Sequence, residues 1–98
     1  MIKVKVLKDT IIINGHANFA NYGKDIVCAS VSAIVTTSIN DMYAVNKDSF
    51  VYTDDGNELI IKITKEDSLI LKLFHNLIEL LNNLEKDYPK NIKIESEE

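Results

Sequence analysis

Cysteine occurs once in these 98 residues, at Cys28, so an internal disulfide framework is excluded and a reducing cytoplasm suits the thiol. Histidine occurs twice, at His16 and His75. One cysteine and one histidine near it are too few for a closed zinc site, which takes four ligands, so neither a metal nor a cofactor is expected. Arginine is absent, and 11 lysines against 15 acidic residues leave a net charge of −4. That balance is poor for phosphate contacts, and direct nucleic-acid binding is not expected. No segment reads as the ~20 apolar residues of a membrane span, and Met1–Lys5 opens a strand pattern rather than a signal peptide. No membrane association is expected.

What is present makes one domain over 1–98, near the size at which a single core becomes self-sufficient. Residues 1–24 carry a net charge of +3 and the remainder −7. The acidic part suits a basic peptide partner, although a solvated acidic face is the commoner explanation. Ile2, Val4 and Val6 alternate with lysines, and Thr10–Asn14 repeats the alternation after a Lys8–Asp9 turn. A helix is expected from Asp25 to about Met42, with its Val35-Thr36-Thr37 run overridden by packing. Phe50–Thr53 and Glu58–Thr64 read as strands around an Asp54-Asp55-Gly56-Asn57 hairpin turn. Turn chemistry accounts for those two aspartates more simply than a metal does. Thr64-x-x-Asp67 resembles a capping box before a long helix that Pro89 ends. Its stripe is Ile70, Leu73, Phe74, Leu77, Leu81 and Leu84, widened by Leu69, Leu71, Ile78 and Leu80. His75 lies off that stripe and reads as a surface residue. Ile92 and Ile94 mark a last short strand running into an acidic tail over 94–98. The order β-β-α-β-β-α-β predicts an α/β sandwich of the α+β kind, a small mixed sheet with two helices packed on it.

The chain's chemistry concentrates between Gly15 and Ser32. Gly15 and Gly23 bracket a polar and aromatic segment with Phe19 and Tyr22, read either as a lid over a substrate peptide or as a plain loop. Asp25 is an N-cap candidate, which makes Cys28 the third helical residue. A thiol titrates near pH ~8.5 and only its thiolate attacks carbonyl carbon well. The partial positive charge of a helix N-terminus favours that thiolate, and first-turn N–H groups can hold an oxyanion. His16, at a strand end, can take the thiol proton and return it to the leaving amine. At ~100° per residue Val27, Val31, Ile34 and Val35 face the core, and Asp25, Ser32 and Thr36 share a neighbouring arc. Cys28 falls at the seam, half toward core and half toward solvent. Spacing alone leaves a small buried structural cysteine as the commoner reading.

The string Gly15-His16-Ala17, then Tyr22-Gly23-Lys24-Asp25-Ile26-Val27-Cys28-Ala29, then Ser32, resembles the signature of the ribosomal-processing cysteine protease family known as Prp. The likeness extends through the order of elements to Tyr88-Pro89 and the strand after it; a first hairpin turn of only Lys8–Asp9 departs from many relatives. The resemblance implies that Cys28 and His16 are the catalytic pair and that Asp25 and Ser32 support them. It also implies a homodimer, and a substrate: the N-terminal extension of the twenty-seventh protein of the large ribosomal subunit, removed from its precursor.

The expected function is therefore a cysteine endopeptidase acting on that precursor through a thioester acyl-enzyme. Gly15, Phe19, Tyr22 and Gly23 would serve the substrate loop. The alternatives are a non-catalytic, ribosome-associated peptide-binding protein and a thiol redox sensor, the latter without a resolving cysteine.

Overall fold

The computed structural model describes residues 1–15 and 26–97. Among the described residues five strands and two helices follow one another as β1 (Ile2–Val6), β2 (Thr10–Asn14), α1 (Ile26–Asn46), β3 (Phe50–Asp54), β4 (Glu58–Ile63), α2 (Ser68–Asp87) and β5 (Ile92–Ser96). The strands form one sheet in the order β3-β4-β2-β1-β5, antiparallel except for the parallel β1–β5 pair. Period-two alternation sets which side each strand buries. Val4 sits opposite Ile13, Ile13 opposite Leu59 and Phe50 opposite Ile63, so one apolar face runs the width of the sheet. Both helices contribute to the same core against that face, through Val31, Val35 and Met42 of α1 and Ile70, Phe74, Leu77 and Leu81 of α2. Each such side chain is worth roughly 1.5–3 kcal/mol of apolar burial. The opposite face carries Lys3, Lys5, Lys62 and Lys93 to solvent.

Several boundaries differ from those expected. α1 continues one turn past Met42 to Asn46, since Tyr43-Ala44-Val45 holds no helix breaker. It stops where the Asn46 side chain accepts from the Asp48 N–H at 3.0 Å and donates to Asp67 at 2.9 Å. Thr64 does not open α2. Its N–H is held by the Ser49 carbonyl as the ladder ends, and Asp67 is itself the N-cap, accepting from the N–H groups of Leu69 and Ile70. The acidic tail begins later than 94. Glu95 and Ser96 belong to β5, opposite Lys5 and Val6. Among the described residues α1 is also long and apolar enough to cross a membrane, contrary to the reading that no segment is. Seven of its residues are buried within this domain, which is where that apolarity is used.

The chain reverses direction so that one end of the sheet collects the site. A connection over 47–49 returns β3 antiparallel to α1, which brings Asp54 toward the helix N-terminus. Asn14, at the end of β2, pairs with Glu58 at the start of β4. Asp54 and Asp55 turn the β3–β4 hairpin by accepting main-chain N–H groups of Gly56, Asn57 and Glu58 at 2.7–2.9 Å. The Glu58 and Asn57 N–H groups, which bond Asp55, hold its carboxyl below the ordinary range. Gly56, at φ 91°, supplies the left-handed residue this turn needs.

Candidate active site

Cys28 is the third residue of α1, as the capping pattern implies. It is only 2% exposed, not half toward solvent as expected. The reason lies further along the helix. Val31, Val35, Ile39 and Met42 recur at spacings of three and four, and they centre the buried arc closer to Cys28 than to Ile34, which is only half-buried. Val27, Val31, Ile34 and Val35 alone, all within 27–35, place that centre too close to Ile34. Burial opposes ionisation of a thiol, whereas the helix N-terminus favours it.

Gly15 follows β2 with φ 82°, a left-handed backbone that only glycine adopts without strain. The chain therefore leaves the sheet just before His16, at the end where Asn14 meets Glu58. His16, Phe19, Tyr22, Gly23 and Asp25 lie outside the described residues. Ser32, one turn beyond Cys28, is exposed. His75 is exposed on α2, with its ring centroid 6.0 Å from that of Phe74.

Ser32 is not isolated. It opens a groove of about 400 Å³ between α1 and the β3 side of the sheet, along Thr36, Ile39, Asn40 and Tyr43, with Tyr52 and Asp54 opposite. The Tyr43 ring meets that of Phe50 at the far end, centroids 5.0 Å apart and tilted by 60°. Partial burial raises the Tyr52 hydroxyl pKa, and the nearby Asp54 carboxylate and Tyr43 add to the effect. Sequence reading passed over this groove. Its signal was present as a second stripe on α1, at 32, 36, 39–40 and 43, beside the core stripe.

A buried thiol in the first turn of a helix, one turn from an exposed hydroxyl that heads a peptide-sized groove, suits attack on a polypeptide carbonyl. Comparison with known proteins points the same way. The family model for cysteine protease Prp matches residues 1–93. The ribosomal processing cysteine protease Prp of Staphylococcus aureus is 31% identical over 88 residues, 86% of this chain and 82% of that protein. The protein of the same name from Mycoplasma genitalium is 28% identical over 97 residues, 99% and 97% of the two chains. Among solved structures, an essential ribosomal processing protease Prp from S. aureus with a substrate peptide matches at a TM-score of 0.88 and 23% identity, over 99% of this chain and 100% of that one. The same protease with a covalently linked product peptide matches at 0.84 and 26%, again over 99% and 100%.

Proposed function

The chain belongs to the Prp family of cysteine proteases, and from that premise we propose that it is the endopeptidase that removes the N-terminal extension of the twenty-seventh protein of the large ribosomal subunit. It acts in the cytoplasm, where a lone thiol stays reduced. The observation that carries the reading is Cys28 in the first turn of α1, twelve residues after a histidine that follows the end of β2.

The steps balance with this chain's own groups. His16 takes the Cys28 proton, and Sγ attacks the scissile carbonyl carbon. First-turn N–H groups stabilise the oxyanion. The C–N bond breaks, His16 gives the proton to the leaving amine, and a thioester remains. Water, deprotonated by His16, attacks the thioester carbonyl carbon; the C–S bond breaks, His16 returns its proton to Sγ, and the carboxylic acid leaves and gives its own proton to solvent. Asp25 caps α1 or orients His16, and Ser32 bonds the substrate or braces the site. Cys28 is 2% exposed, so the sulfur must become accessible before attack.

Incubation with the organism's own precursor, followed by mass spectrometry, tests the proposal. The expected outcome is one new N-terminus and a released extension peptide. A precursor that binds and stays intact would instead favour the non-catalytic peptide-binding reading.

We also propose a homodimer through the outer side of α2. The sequence pattern offers Leu71, Ile78 or Leu80 as contacts; Leu71 and Ile78 are half-buried on one flank, where Ile78 lines a shallow groove with Val6 and Ile94. Leu69 and Leu80 form the outer row on the other flank, 56% and 38% exposed. Sedimentation at micromolar concentration should show a dimer that Leu80→Lys converts to monomer. A monomeric wild type sinks this assembly.

A further inference from the structure

The groove beside Ser32 runs along a sheet edge, and the phase of that edge follows from the ladder. In an antiparallel pair, hydrogen-bonded and non-bonded positions alternate. The Thr64 N–H donates to the Ser49 carbonyl at 2.8 Å, and the Asp55 N–H to the Glu58 carbonyl at 3.2 Å. With Phe50 opposite Ile63 and Asp54 opposite Leu59, the bonded positions of β3 are therefore Ser49, Val51, Thr53 and Asp55. Phe50, Tyr52 and Asp54 direct their main-chain N–H and C=O groups outward, and among the described residues no strand pairs with that side of β3. Tyr52 and Asp54 are also the residues that line the groove.

The two sheet edges are built differently. β5 carries Lys93 and Glu95 within Ile92–Ser96, the kind of charges that discourage pairing with a further strand. β3 reads Phe-Val-Tyr-Thr-Asp, with neither lysine nor proline. Its one charge, Asp54, sits at the end nearest the α1 N-terminus, beside Asp55 and Glu58. That end attracts a basic side chain and repels an acidic one.

We infer that the β3 edge and the α1–β3 groove hold the peptide substrate as an added strand, with an apolar or aromatic side chain against Ile39, Tyr43 and Tyr52 and a basic one toward Asp54. This assignment rests on the protease reading, and it adds the residues that choose the peptide. Strand addition draws affinity from main-chain bonds and specificity from pockets for alternate side chains. Ser32, one turn beyond Cys28, heads the groove, so a strand seated here approaches the start of α1 from the β3 side.

The test uses a synthetic peptide covering the precursor's extension and the first residues of the mature protein. Asn40 is exposed on α1 and lines the groove, so Asn40→Arg fills it without touching the core. In a Cys28→Ala background, Asn40→Arg should weaken binding of the fluorescently labelled peptide about tenfold, equivalent to roughly 1.4 kcal/mol. In the active enzyme the same change should raise KM and leave kcat and the alkylation rate of Cys28 near wild type. A series of peptides N-methylated one residue at a time, tested on unaltered protein, should lose affinity at every second position. Affinity unchanged by Asn40→Arg, or N-methyl effects without alternation, would overturn the assignment. A peptide held in this way but never cut removes the protease reading and keeps the groove. One cut normally by the Asn40→Arg enzyme does the reverse, and one neither bound nor cut removes both.

Discussion

α1 and α2 are 21 and 20 residues long, cover the same sheet face, and are each preceded by an aspartate, Asp25 and Asp67. Both bury their third residue: Cys28 is 2% exposed and Ile70 0%. In α2 the end is closed by its own carboxylate, which accepts from Leu69 and Ile70 at 3.0 and 3.1 Å and from the Asn46 side chain at 2.9 Å. Ile70 fills the slot beneath and does nothing but pack. In α1 the equivalent slot holds a sulfur. The third position of a core-facing helix is buried in this architecture whatever stands there, so low exposure of Cys28 does not by itself mark it as structural. What separates the two helix starts is the atom in the slot and the groove that Ser32 heads one turn beyond it.

The comparison breaks most visibly if the two slots are emptied. Ile70→Ala leaves a cavity in the core and should cost about 2–5 kcal/mol of stability, measured by chemical denaturation. Cys28→Ala removes one sulfur atom and should cost about 1 kcal/mol, near the centre of the range for single substitutions. Its effect on precursor cleavage should be a loss of roughly 10⁴-fold or more, because no other group can form the acyl bond. Cys28→Ser should be nearly as inactive, since a hydroxyl ionises far less readily. A Cys28→Ala protein that cleaves at a rate near wild type would sink the cysteine-protease reading. Ile70→Ala should keep activity in whatever fraction stays folded.

The same comparison shows what could be read without coordinates. Alternation in Ile2–Val6 and Thr10–Asn14 placed two strands correctly, because a half-buried strand states its own period. Asp54-Asp55-Gly56-Asn57 announced its hairpin because each residue there has a local role. Local pattern marks Asp67 as a capping residue but not its position, since whether Thr64 or Asp67 is the N-cap depends on the ladder bond from Thr64 to Ser49. Glu95 and Ser96 read as tail because their strand character comes from Lys5 and Val6, ninety residues away in sequence. Strand order was illegible for the same reason. Of the site, Cys28 and its helix position followed from local pattern, and its burial did not. The groove became legible only once β3 was placed against α1.

A smaller effect sharpens the chemical half of the comparison. If His16 serves as base, Cys28 should react with iodoacetamide well below the ordinary thiol pKa of ~8.5. In His16→Ala the rate should fall several-fold at neutral pH and recover only as pH approaches that value. Burial slows both proteins alike, so the ratio between them isolates the imidazole. His75→Ala, on the exposed face of α2, should leave the rate unchanged. Equal pH profiles for wild type and His16→Ala would remove His16 from this role and leave Cys28 as nucleophile.

The smallest effect concerns the two aspartates. Hydrogen bonds from the Asn46 side chain first, then from the Ile70 and Leu69 N–H groups, lower the pKa of Asp67. A carboxyl whose folded pKa lies below its unfolded value of ~3.9 stabilises the fold fully above that value. The contribution is lost as pH falls through the lower, folded value. Asp67→Asn keeps a capping oxygen but no charge, so its melting temperature should sit a few degrees below wild type near pH 7, with the gap closing in acid. Asp55 shares the direction of shift, is present in both proteins and cancels. Asp25→Asn then distinguishes the two roles open to Asp25. If it only caps α1, it should copy Asp67→Asn in melting temperature and leave the alkylation profile of Cys28 intact. If it orients His16, that profile should move toward His16→Ala while the melting temperature barely changes. A gap between wild type and Asp67→Asn that widens in acid would contradict the sign of the Asp67 shift, and with it the capping bond on which the likeness of the two helix starts rests.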